Sequence, residues 1–239
     1  GSALDVGAIV SALPEAVLVN YASSEFDAKS GATILSDVTV SLAEYPDAGL
    51  KVETLSIWGG NSAAFIDVLS GETLDASVTV ASRMEASDMT LYGLETFMKP
   101  FMDASNAMTE EMMKNIPSDE AVKLKQSIDS YDFTMGKAIM TDVVVHPSML
   151  ELTDIPFTAD AEKDDVPSAE DTAVWHLLQE IGDVSARYSV GDFAAYDSKF
   201  SLGMTQGTET MKMDGALGLS AYRGYDRGDI TYMINNDLS

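Results

Sequence analysis

Gly136-Lys-Ala-Ile-Met-Thr-Asp142-Val-Val-Val145 decides the reading of this chain. It alternates apolar and polar residues, the period of a strand with one buried face. Three other segments follow its outline: Gly31-Ala-Thr-Ile-Leu-Ser-Asp37-Val-Thr-Val40, Ser82-Arg-Met-Glu-Ala-Ser-Asp88-Met-Thr-Leu91 and Gly191-Asp-Phe-Ala-Ala-Tyr-Asp197-Ser-Lys-Phe200. Asp37, Asp88, Asp142 and Asp197 are 51, 54 and 55 residues apart, and Gly stands six residues before Asp in three of the four. A regular period of this length is the mark of a repeated supersecondary unit. The predicted fold class is α+β: a β-rich antiparallel sheet built from repeated strand pairs, period about 51–55, with amphipathic helical insertions packing on one face.

Outward from these segments, Asp5 to Leu13 reads as a short helix capped by Asp5 and stopped by Pro14. Ala16 to Leu42 reads as two strands, Leu50 to Trp58 as another, closed by Gly59-Gly60, and Ser62 to Leu69 as a helical turn before the strands of Leu74 to Leu91. The period then changes. Leu94, Phe97, Met98, Phe101, Met102, Met108, Met112 and Ile116 mark one side of an amphipathic helix. Pro100 is expected to kink or break it. A second helix is expected from Ser118 to Ile128, then strand from Tyr131 to Val145. Val174, Trp175, Leu178, Ile181 and Val184 share the face of a helix near 170–186. Strands resume over Phe193 to Met204, Thr208 to Tyr222 and Asp229 to Ile234. The organisation is a single β-rich domain, 3–239, with helical insertions near 94–128 and 170–186. Residues 154–169, in the acidic stretch that runs on to Asp171, are a candidate linker dividing 3–153 from 170–239.

Composition bounds the function. Lys and Arg number 14 against 39 Asp and Glu, a net charge of −25. Such a field repels nucleic-acid phosphate and anionic lipid surfaces. With no cysteine, disulfides, thiolate catalysis and Cys-ligated zinc are excluded. Gly1-Ser2 reads as a cloning scar, so a removed leader fits an exported, periplasmic protein. No stretch approaches the ~20 apolar residues that span a bilayer as a helix.

Candidate sites are few. A calcium ladder on the repeated Asp residues competes with Asp residues that bond nearby backbone at turns or strand edges, and the latter is favoured. Asp160 to Asp165 fails as a calcium loop, because Asp165 stands where the loop needs Gly. Met211-Lys-Met213 is read as packing ahead of copper ligation, and His146 and His176 as structural. Arg227-Gly228-Asp229 is read as a turn, with no receptor implied. No nucleophile elbow, zinc helix, Walker loop or dinucleotide fingerprint is present. Catalytic, metal and cofactor assignments are therefore none.

No family motif matches residue by residue; at the level of architecture alone the chain is similar to Gram-negative envelope proteins with lipid-holding β grooves. The functional expectation is a non-enzymatic cell-envelope protein that binds or shuttles an apolar small molecule or lipid between sheet and helices. Leu94, Phe97, Phe101, Met102, Met108 and Met112 are its expected ligand-binding residues. The alternative is a structural or protein-interaction scaffold of the envelope that docks another envelope protein and holds no ligand.

Overall fold

The structure is a computed structural model that describes residues 2–71, 73–115, 117, 120, 123–148 and 185–239. The chain runs α1 (Val6–Ser11), β1 (Val17–Asn20), β2 (Ser23–Asp27), β3 (Ala32–Leu42), β4 (Tyr45–Trp58), α2 (Ser62–Leu69), β5 (Val78–Tyr92), α3 (Leu94–Met112), β6 (Gln126–Val145), β7 (Tyr188–Gln206), β8 (Glu209–Asp226) and β9 (Tyr232–Leu238). Asp5 caps α1 by accepting from Ala8 N at 3.0 Å, and Asn61 caps α2 by accepting from Ala64 N at 3.1 Å. The strands form one open antiparallel sheet in which β3 to β9 pair in chain order, with β1 and β2 sharing the outer edge of β3.

Three expectations are corrected. Ala16 to Leu42 holds three strands, because Tyr21-Ala22 divides the outer edge into β1 and β2. Pro100 does not break α3, which runs continuously from Leu94 to Met112. Gln126 to Ile128 is strand, because β6 pairs there with Met204 to Gln206 of β7. The expected linker at 154–169 lies outside the described residues, as does the expected helix near 170–186 apart from its last two residues, which are helical.

The repeated aspartates are not turn residues. Asp37, Asp88, Asp142 and Asp197 lie inside β3, β5, β6 and β7 in the left-handed region, with φ between 50° and 53°. That conformation costs a non-glycine residue about 1–2 kcal/mol, and Asp tolerates it better than most. The pairing registers place Asp37, Glu53, Asp88, Gly136, Asp197, Gly218 and Asp237 in one row across β3 to β9. A second row, six residues away on every strand, contains Gly59, Ser82, Asp142, Gly191, Gly224 and Thr231. Gly59, Gly224 and Asp237 are also left-handed, with φ of 57°, 66° and 59°. Left-handed residues therefore alternate between the rows from strand to strand.

Three of the left-handed aspartates crowd the glycine opposite them. A Cβ built on Gly136 meets the Asp197 Cβ at 3.1 Å, one on Gly191 meets the Asp142 Oδ2 at 2.8 Å, and one on Gly218 meets the Asp237 Cβ at 2.9 Å. The rows also shift which residues face the core. Alternation in a regular strand is two residues, yet the core-facing sequence steps by three across the first row: Leu35 to Val38, Val52 to Leu55, Ala86 to Met89 and Met135 to Ala138. Ala81 to Met84 makes the same step across the second row. A one-residue change of phase exchanges the faces of a strand; here neighbouring strands change phase together, so the core stays on one side.

That core lies under α1 and α2, where Leu4, Val6 and Ile9 pack with Leu35, Val38, Val52, Ile57, Ala81 and Ala86. Beyond β7 no residue of β8 or β9 is fully buried.

Candidate binding surface

The helix expected to cover a ligand serves the sheet differently. Beyond Phe133, β6 has no β5 partner. Side chains of α3 satisfy that free edge: the Asn106 carboxamide accepts from Gln126 N at 3.0 Å and donates to Gln126 O at 2.7 Å, and Glu95 accepts from Tyr131 N at 3.1 Å. Phe97 packs its ring against Tyr45, centroids 4.9 Å apart. Leu94, Phe97, Phe101 and Met102 are half-buried, whereas Met108 and Met112 are 65% and 75% exposed. Met102 lines a cavity of about 330 Å³ beside Ile128, but Glu95, Lys99, Asp103 and Asn106 line it too. The six expected ligand residues thus do not converge on one apolar groove.

A more coherent surface lies on the sheet face opposite α1 and α2, between the two rows. Glu85, Ile139, Ala194, Ala221 and Ile234 are successive cross-strand neighbours from β5 to β9. The facing alanines leave a depression between larger side chains. Next to it, Arg83 pairs opposite Thr141, whose Oγ1 accepts from Asp192 N at 3.0 Å, while Asp192 lies opposite Arg223 and Arg223 opposite Tyr232. These residues apart from Glu85 line a trough of about 420 Å³ that also touches Phe193 and Tyr222. Its floor is apolar and one wall is polar, with two arginines in an otherwise acidic chain.

Both arginines are held. Arg223 Nε donates to Asp192 Oδ1 at 2.8 Å. Arg83 donates to Glu85 through Nε at 2.9 Å and also through its terminal nitrogen, and lies over the Trp58 ring. Burial pushes the Glu85 carboxyl up, but the Arg83 hydrogen bond and the Lys137 and Arg83 charges bring it below its ordinary value. Each guanidinium carries five N–H donors, so both retain donors for an anion.

The other candidate groups separate clearly. In the first row, Glu53 lies between Asp37 and Asp88; its hydrogen bond to Asp88 and the charges of Asp88 and Asp37 raise its pKa. No group of three metal-ligating side chains occurs among the described residues. His146 Nδ1 is 2.7 Å from Ser77 Oγ, and its Nε2 is 2.5 Å from Ser189 Oγ, which donates to Asp226 Oδ1 at 2.8 Å. The serine proton is thus directed at the carboxylate, and the chain of contacts ties the ends of β6, β7 and β8 together. Hydrogen bonds from Arg227 and Ser189 hold Asp226 below the usual carboxylate range.

Arg227, with φ 50°, and Gly228 form the turn between β8 and β9, closed by Asp226 N to Asp229 O at 2.8 Å. Met211 and Met213 are exposed and line a cavity of about 370 Å³ with Leu202 and Met204. Tyr188 stacks on Tyr225 at 4.7 Å, and burial with the Tyr225 hydrogen bond pushes its hydroxyl up to about 12. His176 and Asp160 to Asp165 lie outside the described residues.

Among the described residues, no helix is long and apolar enough to cross a membrane. The trough residues were not legible in sequence because Arg83 and Ile234 belong to strands far apart in the chain; their common signal is alternation alone. Compared with known protein families, curated proteins and solved structures, the chain matches none.

Proposed function

We propose that this is a non-enzymatic binding protein of an exported, cell-envelope setting that holds an amphiphilic ligand in the trough between the two rows. The apolar row Ile139, Ala194, Ala221 and Ile234 would receive the tail. Arg83 and Arg223 would receive an anionic head, carboxylate or phosphate. The observation that supports this reading is the juxtaposition of one apolar and one arginine-bearing cross-strand row around about 420 Å³, within the size range of small-molecule sites. The six α3 residues remain a candidate second wall for longer tails. A repeated strand unit underlying the four Gly-to-Asp segments belongs to the same proposal, supported by their shared left-handed Asp.

Native mass spectrometry and analysis of an organic extract test the reading. A co-purifying amphiphile, displaced in Ala194→Leu, is expected. Apo protein, also after incubation with fatty acids and phospholipids, would overturn it. A second reading, an interaction scaffold, is favoured by one observation: among the described residues β9 pairs only with β8, and it bears exposed Tyr232, Met233 and Leu238.

A further inference from the structure

Every neighbouring pair of strands from β4 to β9 obeys one relation: the left-handed residue of one strand faces the residue six positions before the left-handed residue of the other. Gly59 faces Ser82 while Asp88 faces Glu53; Asp142 faces Ser82 and Gly191; Asp197 faces Gly136 and Gly218; Gly224 faces Thr231 while Asp237 faces Gly218. The relation is unchanged when the two strands are exchanged by a two-fold rotation. A strand that carries it on a free edge is therefore complementary to a copy of itself.

β9 is such a strand. It has Thr231 at the first position and left-handed Asp237 at the second, and among the described residues β8 alone pairs with it, on one edge. A left-handed Asp opposite a hydroxyl residue already occurs where Asp142 faces Ser82. The usual protections of an edge strand are lacking: Ile230 to Leu238 contains no Lys and no Pro, and Asp237 is its single charge. The opposite edge of the sheet is protected, being divided into short β1 and β2, with Glu25 and Asp27 on the latter.

We propose that β9 pairs antiparallel with β9 of a second copy, Thr231 opposite Asp237 of the partner in both directions and Ile234 opposite itself on the two-fold axis. This deepens the scaffold reading and rests on it; it needs no ligand in the trough, although Tyr232 and Ile234 line that as well. The contact is isologous, so it closes as a dimer and joins two sheets edge to edge. Like charge of −25 on each chain opposes the approach. Salt screens that repulsion, with a Debye length of about 10 Å at 0.1 M.

Sedimentation and light scattering across protein concentration, at low and at moderate salt, read the state directly. The expected result is a monomer–dimer equilibrium that moves toward dimer as salt rises, and at least a tenfold weaker dimer in Met233→Glu. Register is read by a single cysteine, since the chain has none of its own. Directly opposed Cα atoms are about 4.5–5.5 Å apart, within disulfide reach. Ile234→Cys is therefore expected to cross-link on mild oxidation, and Met211→Cys on β8 is expected to stay monomeric.

A monomer under all conditions, or a dimer that Ile234→Cys does not cross-link, overturns the proposal. A synthetic peptide spanning residues 229–239 then separates the two readings. If the monomer captures it, the second copy fails while the edge stands as an interaction surface; if the monomer ignores it, both fail.

Discussion

The two halves of the sheet use the same strand pattern to different ends. In β3 to β5, the three-residue steps keep Leu35, Val38, Val52, Ile57 and Ala86 facing α1 and α2, and these side chains are buried. In β8 and β9, left-handed Gly224 and Asp237 continue the rows, yet no side chain is fully buried and Tyr232, Met233 and Leu238 are exposed. Among the described residues, the difference lies in the helices that pack on each half. Apolar surface stabilises in proportion to the area removed from water. A strand pattern alone supplies a face, and a second layer must supply the burial.

Core substitutions test this difference most strongly. Leu35→Ala is expected to destabilise by about 2–4 kcal/mol, whereas Leu219→Ala, in the half where no described helix packs, is expected to cost about 0.5 kcal/mol or less. Chemical denaturation measures both, and equal losses would mean that the C-terminal half has an equivalent core.

Next in size are the rows themselves, which both halves share. Asp197→Val is expected to cost about 1–3 kcal/mol, because a β-branched residue is placed at positive φ. Asp197→Gly should be near neutral or slightly stabilising. If both variants behave alike, the left-handed backbone is not what Asp197 provides. Gly136→Val probes the same contact from the other strand, and should lose at least as much as Asp197→Val because its side chain meets Asp197.

The smallest effect is a pH dependence of opposite sign in the two halves. Glu53 has a raised folded pKa, so the folded state binds more protons than the unfolded one just above the ordinary Glu value. Its contribution is therefore present at low pH and lost as pH rises from about 4.5 through the folded value. Asp226 is lowered; its contribution is present above the ordinary Asp value and lost as pH falls through the folded one. Thermal melts between pH 3 and 7 should show Glu53→Gln gaining relative stability toward pH 7, and Asp226→Asn losing it there. Parallel profiles for the two variants would contradict the assigned charge environments.

Much of the strand content was legible, because β4, β5, β6 and β7 alternate over long runs. The aspartate spacing was legible too, but its meaning was not. A left-handed φ is a property of the backbone, and Asp is also common in turns. Gly59 reads as a strand end for the same reason, and Asp237 was missed because Thr231 stands where three of the four recognised segments have Gly. The α3 stripe has helical periodicity, and periodicity shows that one side is apolar without showing what meets it. Here Asn106 and Glu95 fix the helix to the open edge of β6, and those polar residues carry no such pattern.

By itself, the sequence determined the antiparallel β class, the α1 cap at Asp5, the absence of cysteine chemistry and the strongly acidic charge. These follow from local backbone preferences and from composition, which need no distant partner. The tertiary structure alone decided that the aspartates form two rows, that Ala194 and Ala221 face each other beside Arg83 and Arg223, and that among the described residues β9 pairs on one edge. Each of these depends on register between strands, and register is set where separate segments bury a common face.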